Sequence, residues 1–146
     1  MKSVKLGLAS DHAGYSLKNW LIEKLIETGY EVKDFGCNSD DSCDYPDYAH
    51  PLAEAIENGE VDKGFSLCGS GNGINMVVNK HARVRSALCW NNEITVLARS
   101  HNDANICAIP ARFVEKEQAW KMIKVFLETE FDGGRHLRRI NKIPIS

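Results

Sequence analysis

Five short apolar runs, each followed by a loop and then by residues at helical spacing, constrain this chain more than any other feature. The runs are Val4 to Ala9, Tyr30 to Phe35, Gly64 to Leu67, Ser86 to Cys89 and Ile106 to Ile109. After the first, Leu17, Trp20, Leu21, Leu25 and Ile26 recur at helical intervals until Gly29. Leu52, Ala53, Ala55 and Ile56 predict a short helix closed by Asn58-Gly59, and Ile74 to Asn79 begins another. Asn91-Asn92 can cap a helix from Glu93 to about Ser100. Glu115 to Glu128 places Ala119, Met122, Ile123 and Phe126 on one face. Strands that alternate with helices predict an α/β fold with a five-stranded parallel sheet covered on both faces. The 146 residues suit one domain, residues 1–146, ending in a basic extension from about residue 133.

In such folds ligands bind outside the carboxyl ends of the strands. That rule selects Asp11 and His12 after the first strand and Cys68-Gly69-Ser70-Gly71-Asn72-Gly73 after the third. Asn91 and Asn92 follow the fourth strand, and Arg112 follows the fifth. Glycine at every second position lets backbone N–H groups converge on an oxyanion. Cys68 beside that loop can serve as nucleophile or base, and Ser70 can exchange a proton with a reacting oxygen. Read locally, Asp11 is also a helix cap, Ser70 is also turn chemistry, and His101-Asn102-Asp103-Ala104-Asn105 is also a helix end and turn. Arg135 and Arg139, four residues apart behind Gly133-Gly134, share a face if the tail is helical. There they can grip one phosphate.

Composition excludes several classes. With 43% hydrophobic and 26% charged residues the chain is globular rather than disordered. A net charge of −2 gives no footing for nucleic acid, although residues 38–62 are acid-rich and the tail is basic. No apolar run reaches the ~20 residues of a membrane span. The chain enters a strand pattern almost at once, without a signal peptide, and a cytoplasmic location is expected. The five cysteines form no CxxC pair, so zinc knuckles and a simple disulfide framework are not expected, and the thiols should be reduced. Cys89 and Cys107 read as core residues, while Cys37 and Cys43 lie in a polar loop with no assigned role. His50 and His81 read as solvated surface, and His136 as part of the basic tail. No metal ligand set is spaced along the chain.

Six segments together resemble the type B ribose-5-phosphate isomerases, within the larger group that includes galactose-6-phosphate isomerase subunits. They are Ser10-Asp11-His12-Ala13-Gly14, Asp44-Tyr45-Pro46-Asp47-Tyr48-Ala49, Cys68 to Gly73, Asn79-Lys80, His101 to Asn105 and Gly133-Gly134-Arg135-His136. The resemblance runs from Leu6 to Asn141. It implies a Rossmann-like three-layer sandwich, a homodimer or a pair of dimers, and a place in the pentose phosphate pathway. It also implies interconversion of ribose 5-phosphate and ribulose 5-phosphate without a metal or organic cofactor. Cys68 is then the base moving a proton between C2 and C1, through a cis-enediolate held by the N–H groups of Gly69 to Gly73. Ser70 assists proton traffic, His101 assists ring opening, and Asp11 positions the ring oxygen or hydroxyls. His12, Arg112, Arg135 and Arg139 are implied phosphate ligands. Asn102 is implied for a sugar hydroxyl, and Tyr45 for the substrate side.

One branch of the family uses a Glu just after the glycine loop, where this chain has Ile74, so the Cys branch applies. Some members carry Thr where this chain has Ser70. Galactose-6-phosphate subunits divide the site residues between unlike chains, whereas here the thiol, the His and the arginines share one chain, which favours a self-sufficient homomer. The alternatives are a six-carbon sugar phosphate substrate (allose or galactose 6-phosphate), a non-catalytic sugar-phosphate-binding module, and a thiol hydrolase. The last would need a His–carboxylate partner for Cys68, which no local motif supplies.

Overall fold

The computed structural model describes residues 4–145. Five strands form the sheet: β1 (Lys5–Ser10), β2 (Glu31–Asp34), β3 (Lys63–Cys68), β4 (Ser86–Leu88) and β5 (Ile106–Pro110). All pairings are parallel, in the order β2-β1-β3-β5-β4. The helices are α1 (Tyr15–Glu27), α2 (Pro46–Glu57), α3 (Asn72–Val78), α4 (Asn92–Ser100), α5 (Lys116–Glu128) and α6 (Arg135–Ile140). From β1 the chain moves one way to β2 and then returns to the other side for β3. The crevice outside the carboxyl ends of β1 and β3 is therefore the switch point at which such sheets bind ligands.

Both faces are covered because the strands are apolar on both sides. Leu6, Leu8, Phe65, Leu67, Cys107 and Ile109 pack with Leu21 and Leu25 of α1 and Met122, Ile123 and Phe126 of α5. The alternate positions Ala9, Cys68, Ile106 and Ala108 pack with Leu52 and Ala53 of α2 and Ile74 and Val78 of α3. The expected three-layer α/β sandwich is thus present. Cys89 and Cys107 are fully buried, as expected of core residues.

Helix α2 departs from the sequence reading by starting at Pro46, six residues before Leu52. Pro46 lies in the first turn, where its fixed φ and missing N–H do no harm. Pro51, inside the helix, forfeits only its own hydrogen bond, and the buried stripe of Ala49, Leu52, Ala53 and Ala55 carries the helix through it. The tail is helical over α6, so Arg135 and Arg139 do lie one turn apart.

One contact had no signature in the sequence. Lys18 of α1 is fully buried, and its Nζ donates to Asp34 Oδ1 and Oδ2 at the end of β2 at 2.8 and 2.9 Å. Asp34→Ala would strand a buried ammonium, and a loss on the order of 3 kcal/mol is expected in chemical denaturation. The exposed Lys33–Glu60 pair, 2.6 Å apart, is the internal control. Glu60→Ala should cost under about 1 kcal/mol. Equal effects for the two variants would contradict this ranking.

Candidate active site

The carboxyl rim is built at the switch point. Asp11 follows β1, and its N–H donates to Leu67 O at 3.2 Å, which stitches the end of β1 to the end of β3. Its Oδ1 accepts from Ala13 and Gly14 N–H at 2.9 and 3.2 Å, so Asp11 does cap the short 3-10 turn His12–Gly14. Oδ2 has no partner among the described residues and remains free for a ligand. Cys68 is the last residue of β3, 5% exposed, on the sheet face shared with α2 and α3.

The loop after Cys68 has the form its glycines require. Gly71 has φ +76 and leads into α3, a conformation that costs an L side chain strain. A Cβ on Gly73 would lie 2.5 Å from Tyr45 Cζ, so the Tyr45 ring lies directly against the loop. A Cβ on Gly69 would lie 3.2 Å from an Arg112 guanidinium nitrogen, and Arg112 N–H donates to Gly69 O at 3.0 Å. Tyr45 and Arg112 therefore flank the thiol loop. Ser70 Oγ accepts from Asn72 N–H at 3.2 Å, which bears out the turn chemistry and takes one donor out of the N–H set. The Ser70 hydroxyl proton stays available.

His12 sits on the same rim. Its Nδ1 accepts from Cys43 N–H at 3.2 Å, with Cys43 Sγ 4.0 Å away. Burial, then a hydrogen bond with Cys37, pushes the Cys43 thiol above its ordinary range, so a neutral SH lies against the imidazole. Cys37 is itself buried. Cys43, to which the sequence assigned no role, thus holds His12 in place, a contact between residues 31 positions apart that spacing does not reveal.

The other expected residues lie at the opposite end of the sheet. Helix α4 starts at the carboxyl end of β4 and, over nine residues, runs back about 13 Å toward the amino ends of the strands. His101 is its C-cap. The following turn is locked there. Arg85, just before β4, donates to Asn102 O at 3.0 Å, and Gly64 N–H, in the first turn of β3, donates to Asn105 O at 2.9 Å. Arg99 and Arg85 both hold the Asp103 carboxylate, at 2.8 and 3.2 Å. Asp103, Ala104 and Asn105 are thus structural, as the turn reading had them, while the exposed Asn102 side chain and the half-buried His101 are presented outward. His136 of α6 stacks on His101, with ring centroids 4.1 Å apart, and Arg135 and Arg139 are exposed beside it. Burial first, then the charges of His101 and Arg135, pull the His136 imidazole below its ordinary range. The sequence placed His136 only in the basic tail; it is 9% exposed.

The residues expected at the site therefore fall into two groups. Asp11, His12, Tyr45, Cys68 to Gly73 and Arg112 share one rim. His101, Asn102, Arg135 and Arg139 share the other. Folding also brings His101, Asp132 and His136 within 4.8 Å, although no metal set was visible in the spacing. Their rings lie nearly parallel, 13° apart, so the in-plane lone pairs do not converge, and two arginines add positive charge. The arrangement suits an anion better than a cation. Hollows of the single chain, such as those beside Lys5 and Val32 or beside Asn79 and Ile143, do not include Cys68.

Fold and rim together define a doubly wound α/β protein with a thiol and a glycine-rich loop at the switch point. The chain matches the family model for ribose/galactose isomerases over residues 6–143, and it belongs to that family. It is 39% identical over 139 residues to ribose-5-phosphate isomerase B of Escherichia coli, covering 95% of this chain and 93% of that one. It superposes on ribose-5-phosphate isomerase B of Clostridium thermocellum with a TM-score of 0.95 and 44% identity, covering 96% and 95% of the two chains. A ribose-5-phosphate isomerase B of Mycoplasma genitalium, solved with bound ribulose 5-phosphate, gives a TM-score of 0.92 at 39% identity, covering 98% and 95%.

Proposed function

We propose that the chain is an aldose–ketose isomerase that interconverts ribose 5-phosphate and ribulose 5-phosphate. The observation that carries this reading is the Cys68 thiol at the end of β3, directly before the glycine loop that leads into α3, in a chain of this family. The reaction needs one base that reaches two adjacent carbons and a fixed set of donors for the oxyanion between them. Cys68 takes the proton from C2 and returns it to C1. The N–H groups of Gly69, Ser70, Gly71 and Gly73 stabilise the enediolate, while Asn72 N–H holds Ser70. The Ser70 hydroxyl moves the proton between O1 and O2. Asp11 Oδ2 and Tyr45 orient the sugar. His12 and Arg112 contribute positive or hydrogen-bonding groups on the same rim.

His101, which assists ring opening, and Asn102, Arg135 and Arg139 reach the thiol rim from a second copy of the chain. This assembly is supported by their placement at the far end of the sheet. It is also supported by exposed apolar side chains that a second copy can cover, among them Trp90 at 51%, Leu97 at 38% and Leu137 at 49%. A two-fold arrangement completes both sites equally. The five free cysteines suit a cytoplasmic, reducing setting. No helix among the described residues is long and apolar enough to cross a membrane.

The test is turnover on ribose 5-phosphate against allose 6-phosphate, with and without a chelator. The pentose is expected to be preferred, with activity unchanged by chelation. Preference for the hexose, or loss on chelation restored by one divalent ion, would overturn the assignment. Arg135→Ala and Arg139→Ala are each expected to raise KM for the phosphorylated sugar, by the roughly 1.5–3 kcal/mol of a charge-assisted hydrogen bond. Unchanged KM and kcat in both variants would place the phosphate elsewhere.

A further inference from the structure

Three side chains that the isomerase reading does not use form a continuous chain of hydrogen bonds. Glu57, at the end of α2, places Oε1 2.8 Å from His81 Nδ1. His81 Nε2 lies 2.7 Å from Nδ1 of His50, two turns earlier on α2. Glu57 is itself fixed, because its Oε2 accepts from Arg83 N–H at 3.3 Å and its main-chain oxygen accepts from the Arg83 guanidinium at 3.3 Å. The hydrogen bond from His81, chief among its contacts, holds the Glu57 carboxyl below its ordinary range, so it stays an acceptor. The sequence offered His81 as solvated surface, yet its side chain is only 14% exposed, whereas His50 is open to solvent.

Tautomers follow from these partners. A carboxylate only accepts, so His81 carries its proton on Nδ1 and turns the Nε2 lone pair toward His50. A neutral His50 then donates from Nδ1. A carboxylate that fixes one imidazole so that its other nitrogen faces a second imidazole is the arrangement by which proteins orient histidines for transition metals. The rings are tilted by 54°, not stacked, so their nitrogens face one another. A metal at about 2.0–2.1 Å from each nitrogen needs them about 3.3 Å apart. The exposed His50 can supply that small opening by rotating.

We propose that His50 Nδ1 and His81 Nε2 form a binding site for a borderline divalent transition cation of the zinc class, with Glu57 as the positioning residue. Imidazole suits such ions, and water completes the coordination. No redox step or net proton loss is required. His50 shifts its proton from Nδ1 to Nε2, and the metal takes the vacated lone pair. The ion then ties α2 to the turn after α3. Both helices begin at the thiol rim, α2 behind Tyr45 and α3 behind Gly71. A bound ion clips their far ends together.

The test is titration of the full-length chain with Zn²⁺ at neutral pH under reducing conditions, read by calorimetry and by nitrogen-15 NMR of the imidazoles. One equivalent is expected to bind in the micromolar range, with His50 changing tautomer. At zinc about a hundredfold above its dissociation constant, Tm should rise by a few degrees. His50→Ala should weaken binding at least tenfold, and because His50 is exposed the variant should fold. Glu57→Gln should weaken binding less, while Asp132→Asn, on the opposite cluster, should leave it unchanged. The proposal is overturned if His50→Ala binds zinc as the parent does, if Asp132→Asn abolishes the binding, or if no stoichiometric uptake occurs. The isomerase assignment is untouched by any of these outcomes, because none of the readouts is turnover.

Discussion

Cys68→Ala is expected to lower turnover on ribose 5-phosphate by about 10²–10⁴-fold, the contribution of a positioned base, while binding of the sugar phosphate survives. The residue is well placed for so selective a loss. It is the last residue of β3, it packs in the cluster shared with α2 and α3, and its side chain makes no hydrogen bond among the described residues. Alanine keeps the backbone of the loop and removes only the thiol. Thermal unfolding should shift little, and the phosphate should still find its arginines. Parallel measurement of kcat and of ligand binding separates the two effects. Near-normal turnover would sink the base assignment, and loss of binding with turnover lost in proportion would make Cys68 a structural residue.

Mixing an inactive Cys68→Ala chain with an inactive His101→Ala chain is expected to restore about a quarter of the parent activity. The fold supplies the reason. His101 caps the C-terminal end of α4, about the length of that helix from the rim that carries Cys68, so the two side chains cannot meet inside one chain. If they meet across a two-fold interface, each hybrid dimer has one doubly damaged site and one intact site. Random pairing makes about half the dimers hybrid, each with one working site of two. Subunit exchange must be confirmed by mass. Confirmed hybrids without activity would show that the site is not shared in this way.

Much of this was legible in the sequence. The five strands and their helices follow from apolar runs alternating with helical spacing, because burial on both faces of a parallel sheet leaves that pattern. The strand-end rule put Asp11, His12, Cys68 to Gly73 and Arg112 at the carboxyl ends of the strands, and they lie there. The same alternation held a signal that was not drawn out: a helix that starts at the carboxyl rim must end at the amino rim, which already places His101 opposite Cys68. Contacts between distant positions were not legible. The cradle of Cys43 around His12, the stacking of His136 on His101 and the Glu57–His81–His50 chain each join residues from separate loops or helices, and local spacing carries no record of them. The start of α2 was missed because the helix was read only from the apolar positions beginning at Leu52, whereas Pro46 lies in its first turn and a buried stripe carries it through Pro51.

The proposed catalytic groups lie at the two ends of one sheet, which bears on how such a catalyst fails. With the site shared as proposed, folding and activity answer to different equilibria. Folding of one chain is unimolecular, but assembly depends on how many copies are present. Dilution can therefore silence the enzyme while every chain keeps its fold. In a mixed population, damage to the His101 end disables the neighbour's thiol and spares the chain's own.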